Sequence, residues 1–167
     1  MLVFVPLAAP AFLHLAAGRA QGPVAAWRAV PANPGPGPGD ADEAEWAEHE
    51  AMVRASFDGL ARFGLRLVMA VDLPQAAWPG DDPATPGRGS LERLEPRHVT
   101  AFFTDDVADL AAVQAVGRAL AGRAGERAWS EPEAEGLADC ALMWFDATEL
   151  GRPLVVATVD GPATLDG

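Results

Sequence analysis

The chain contains no lysine, no isoleucine and no tyrosine, and only one cysteine, Cys140. All its cations are therefore arginine, a coding bias of the kind GC-rich genomes impose. Without lysine there is no Schiff-base chemistry and no phosphate-binding lysine of the P-loop type. A lone cysteine excludes an internal disulfide framework and fits a reducing compartment. Positive charge is scarce altogether, with a formal net charge of −12 over 167 residues. Such a surface repels phosphate backbones and anionic lipid, which argues against nucleic-acid and membrane-surface partners. Arg118, Arg123 and Arg127 form the one local concentration of cations, at a predicted helix end where they complement the dipole. Long apolar runs are missing too. Leu2 to Ala17 is apolar apart from His14, but Pro6 and Pro10 interrupt it, no basic residue precedes it, and it is too short to cross a bilayer. It reads as a buried strand followed by a helix, and the protein as cytoplasmic. The GxSxG, GxxxxGK and GxGxxG patterns are all absent.

What is present is a packed α/β pattern. Half of the residues are hydrophobic, enough for one core without staples. The clearest block runs from Asp42 to Pro74. Trp46, His49, Val53, Phe57, Leu60 and Gly64 recur at helical spacing, and Leu65, Leu67, Met69, Val71 and Leu73 then alternate at strand spacing. Glu50 with Arg54, and Asp58 with Arg62, stand as i,i+4 pairs on the expected solvent face of that helix. Val53, Phe57 and Leu60 are expected to bury against the sheet that holds Leu67 and Met69. Further strands are expected over Leu2 to Leu7, Val24 to Val30, Val99 to Thr104, Ala141 to Phe145 and Leu154 to Val159, with a short edge strand within Ser90 to Glu95. The Ala141 to Phe145 run (ALMWF) is continuous and aromatic, and is expected to be buried. A third helix carries the stripe Val107, Leu110, Val113, Gly117 and Leu120. These elements predict a single domain over 1–167, an α/β (α+β) two-layer sandwich. Its sheet would be mixed, of about five to seven strands, with three helices. Pro/Gly-rich loops are expected at 31–39 and 74–89.

Several segments together resemble a known pattern: VFVPL, GPVAAWRAVPA, DEAEW with RASFDGLA, LVMAVDLP, HVTAFFTDD and LMWFDATEL, in that order. The pattern is similar to a family of short uncharacterised actinomycete proteins, a domain of unknown function. The resemblance covers roughly residues 1–150 and leaves the tail after Pro153 outside. Its motifs are core strands and caps, so it implies a fold and no catalytic residues.

Three constellations have chemical potential. Glu45, Glu48 and His49 lie within one helical turn of one another and offer metal-ligating groups, although no HExxH or second histidine accompanies them. The plainer reading is an edge-of-core histidine with a solvated acidic flank. Asp72, Asp105 and Asp106 all fall at predicted strand ends. On adjacent parallel strands they would gather into a cation or general-base site with His98 nearby. The plainer reading makes them helix caps and turn residues. Cys140 has acidic and apolar neighbours, which raise a thiol pKa and describe an inert cysteine. Trp78 and Trp129 lie in polar loops, where tryptophan serves either as a partner anchor or as a lid over the chain's own core. The sequence thus favours a non-enzymatic protein-interaction or accessory domain, with a protein partner or homo-oligomer and no cofactor. The alternative is a small hydrolytic or metal-assisted enzyme using the Asp cluster with a histidine.

Overall fold

The computed structural model describes residues 1–31, 40–158 and 160–166. The connector expected at 31–39 therefore lies, from residue 32 onward, outside the described residues. Among the described residues, eight strands and three α-helices follow in the order β1 (Leu2–Pro6), α1 (Ala9–Ala16), β2 (Val24–Arg28), α2 (Asp40–Phe63), β3 (Leu67–Asp72), β4 (Arg88–Leu91), β5 (Val99–Asp105), α3 (Leu110–Leu120), β6 (Leu142–Asp146), β7 (Leu154–Thr158) and β8 (Gly161–Leu165).

Six strands form one sheet in the order β4-β2-β1-β3-β5-β6, and β7 with β8 forms a second. The main sheet is antiparallel at every pairing, not mixed. Central strands β1 and β3 are apolar at nearly every position because both of their faces are covered, whereas β5 interleaves Thr100, Thr104 and Asp105 with its apolar residues. Alternate side chains of each strand serve the two faces. On one face Val3, Val5, Met69, Val71 and Phe102 meet Phe12 and Leu15 of α1, together with Leu154, Val156 and Leu165 of the hairpin. Phe102 packs between Phe12 at 5.5 Å and Phe145 at 5.0 Å.

On the other face Phe4, Trp27, Val68, Ala70 and Ala101 pack against Ala51 and Ala55 of α2. The sheet-facing stripe of α2 is thus small, running Ala47, Ala51, Ala55 and Gly59 at i,i+4 spacing, all buried. A Cβ on Gly59 would lie 3.1 Å from the Leu65 carbonyl oxygen and 3.3 Å from the Pro6 Cβ, so helix and sheet are as close as glycine allows. The large stripe that helical spacing picks out faces elsewhere. Phe57 and Leu60 pack with Leu110, Val113, Val116 and Leu120 of α3, not with the sheet residues Leu67 and Met69. Bulky side chains serve the contact with α3, while small ones let the helix approach the sheet closely. Trp46 and His49, at the other end of the same stripe, are exposed.

α2 ends at Gly64, whose φ of 73° requires glycine and whose amide returns to the Leu60 carbonyl at 2.9 Å. The edge strand expected within Ser90 to Glu95 is β4, shifted two residues earlier. The Leu154 strand is followed by one more, so the chain's last segment is a core-forming hairpin.

Candidate functional site

Three features of the fold bear on chemistry: two buried ionic centres and one open sheet edge. The first centre joins Arg66, just before β3, to Asp105, at the end of β5. Antiparallel register sets Leu67 opposite Thr104, which places both groups at the same end of the sheet. The Arg66 Nε donates to Asp105 Oδ1 at 2.6 Å, and an Nη2 donates to the Cys140 carbonyl at 3.1 Å. Both side chains are almost completely buried. Burial pushes the Asp105 carboxyl above its ordinary value, against the opposing pull of the Arg66 guanidinium. Partial burial likewise raises the Cys140 thiol, with Asp109 adding to the effect. An open cleft of about 630 Å³ lies above the pair, bordered by His49, Val53, Phe57, Trp129, Glu135 and Cys140.

The second centre is Asp58 of α2, fully buried and not on a solvent face. The Trp27 Nε1 donates to it at 3.2 Å, and Arg62 and Arg88 stand 3.7 and 3.6 Å away. Its other oxygen abuts the Cα of Gly125, where any side chain would collide. Glu50 and Arg54 do form the expected exposed pair at 2.7 Å, and the Arg54 guanidinium also lies 4.8 Å over the Trp129 ring.

These placements separate the candidate carboxylates. β3 and β5 are adjacent but antiparallel, so Asp72 and Asp105 occupy opposite ends of the sheet, and the condition for a shared Asp site fails. Asp72 is exposed and accepts from the Met1 amine at 3.0 Å. Asp106 is exposed and accepts from the Ala108 amide at 2.8 Å, capping the 3₁₀ turn that leads into α3. His98 sits at the start of β5 beside Arg97, whose Nε donates to its Nε2 at 3.3 Å. Glu45, Glu48 and His49 project from the N-terminal half of α2. Among the described residues no three carboxylate, histidine or cysteine side chains gather closely enough to hold a metal ion. The two loop tryptophans are occupied by the chain itself. Trp78 donates to Asp81 at 3.0 Å and lies against Gly89, and Trp129 is 38% exposed beneath Arg54. Asp81 is held below the usual carboxylate range, chiefly by its hydrogen bond from Arg28.

The third feature is β6. It pairs with β5 on one side, Phe103 opposite Trp144 and Phe102 opposite Phe145, and among the described residues no strand covers its outer side. The ALMWF run is a strand as expected, yet it is not buried: Met143 is 43% and Trp144 58% exposed, one on each face. A continuous apolar run normally means burial on both faces, and here the run marks an edge. Beside Trp144 a hollow of about 430 Å³ runs under the N-terminal half of α2, floored by Phe103, Ala101 and Ala70 and walled by Met52, Glu45 and Glu48. A second hollow of about 400 Å³ adjoins it at Asp42, Glu45, Trp46 and His49. Trp46 is 72% exposed and meets the His49 ring edge-to-face at 6.2 Å. Sequence reading missed Trp144, Met143 and Trp46 as surface residues. The only signal for the first two was that a sheet of this size must have two edges.

Fold and site together define an α+β domain with two inward-turned ionic centres and one apolar sheet edge left open. The chain belongs to the family described as "Family of unknown function (DUF6912)", whose model matches residues 1–154 and so covers the segments in which the resemblance was read. No curated protein and no solved structure matches it. Among the described residues no helix is long and apolar enough to cross a membrane.

Proposed function

We propose that this protein is a non-enzymatic interaction or accessory domain that docks another protein on the outer side of β6 and the hollow beside it. The observation that carries this reading is the pair Met143 and Trp144, both exposed, on a strand with no outer partner among the described residues. Such an edge invites pairing, and natural domains ordinarily blunt it with charge, proline or a covering loop. The opposite edge follows that rule. β4 is short and polar (RGSL), and Trp78 lies against its Gly89. Trp78 and Trp129 remain proposed contributors to binding, but Trp144 and Trp46 offer more free ring surface for a partner. The half-buried position of Cys140, where desolvation raises the thiol, and the separation of Asp72 from Asp105 support the non-enzymatic reading over a hydrolytic one. The lone cysteine supports a reducing, cytoplasmic setting, and the arginine-only cations support an actinomycete origin.

Affinity capture from a homologous lysate tests the reading. The wild type is expected to retain specific polypeptides that a Met143→Ser/Trp144→Ser variant loses, with the variant's melting temperature within a few degrees of wild type. The same polypeptides on both proteins would overturn the assignment of β6.

A further inference from the structure

The geometry points to an extended, basic segment of a partner protein as the occupant of this edge, added as a seventh strand alongside β6. This inference rests on the docking reading above and specifies its partner. An added strand satisfies the outward amide and carbonyl groups of β6 through main-chain bonds, leaving its side chains to set specificity. Those side chains alternate. The ones on the Trp144 face project beside the Trp144 ring toward the hollow floored by Phe103 and Ala101, where an apolar or aromatic residue fits. The ones on the other face lie beside Met143.

Charge then selects the partner. The two adjoining hollows are lined by Asp42, Glu45 and Glu48, and no arginine lines either of them. An arginine or lysine on the added strand meets uncompensated carboxylates there. An acidic segment meets repulsion, reinforced by a net charge of −12 on the whole chain. A second copy of this chain would bring the same acidic wall and the same net charge to the interface, so self-pairing across β6 is disfavoured relative to a basic partner.

The test uses the purified 167-residue chain and fluorescein-labelled peptides of about eight residues that alternate arginine with valine around a central phenylalanine. A matched peptide carries glutamate at every arginine position. Anisotropy titration is expected to show the arginine peptide binding at least about tenfold more tightly than the glutamate peptide, with the gap narrowing as salt rises. Amide chemical shifts are expected to move along Leu142–Asp146. Glu45→Gln/Glu48→Gln is expected to reduce the discrimination between the two peptides, and Trp144→Ser to weaken the arginine peptide. Glu45 and Trp144 are exposed and Glu48 is half-buried, so the folding of both variants is checked by melting. Equal binding of the two peptides on Leu142–Asp146 would overturn the basic partner and leave edge docking standing. No binding of the arginine peptide would overturn the inference, even where capture from lysate still depends on Met143 and Trp144. A concentration-dependent dimer that protects the Leu142–Asp146 amides would overturn it in favour of a second copy.

Discussion

Arg66 and Asp105 are two full charges placed inside the core, each nearly inaccessible to water. The geometry that tolerates them is close pairing plus the extra acceptor that Arg66 finds at the Cys140 carbonyl. Even so, desolvation outweighs attraction at Asp105, which is why its carboxyl is pushed up and not down. Arg66→Met is therefore expected to lower stability in urea denaturation by about 3–5 kcal/mol, because it strands a buried carboxyl without its donor. Arg66→Met/Asp105→Leu is expected to recover most of that loss, and a double variant as unstable as the single one would show that the pair is not the cause. None of this was legible in the chain. Arg66 and Asp105 are 39 residues apart, and in sequence Asp105 looked like a helix cap beside Asp106. Only Asp106 does the capping. The Asp58–Arg62 pair misled in the same way, since i,i+4 spacing on a helix fixes neighbours and not which side of the helix is wet.

At the scale of elements, α2 shows why a hydrophobic stripe and a packing face differ. Its large residues Phe57 and Leu60 face α3, and its alanines face the sheet. Periodicity weights large apolar side chains, so it found the face that meets α3. β6 shows the complementary failure, because apolar content cannot distinguish a strand covered on both sides from one left open. The hairpin β7–β8 lies almost wholly beyond the family match, which ends at residue 154. Yet Leu154, Val156 and Leu165 belong to the main core cluster with Val5, Met69 and Phe102. Truncation after Pro153 is expected to abolish the cooperative thermal transition, since it uncovers the face of the sheet behind α1. A truncated chain that melts like the full one would mean the hairpin is an appendage.

For the whole molecule, charge is the dominant property. Twelve arginines are set against 24 carboxylates, and several arginines are committed to ion pairs within the chain, among them Arg28, Arg66 and Arg88. A net charge of −12 opposes binding to phosphate backbones. The protein is expected to pass through DNA and RNA columns at physiological salt without retention, and tight, salt-sensitive retention would refute the electrostatic argument that also selects a basic peptide for β6. The two expectations share one cause and fail together.

Periodicity and composition sufficed for the class and nearly all of the elements. The helix from Asp40 to Gly64, the aromatic strand at Val99 and the apolar opening strand follow from periodicity, propensity and caps, which act within a few residues. Composition also determined the sign of the molecule's charge and the exclusion of lysine chemistry. Tertiary structure alone decided strand order and direction, and with them every candidate site. Antiparallel pairing of β3 with β5 sent Asp72 and Asp105 to opposite ends of the sheet, brought Arg66 to Asp105, and left β6 at the edge with Trp144 in water. Those outcomes depend on contacts between distant segments, and no local pattern encodes which strand will lie next to which.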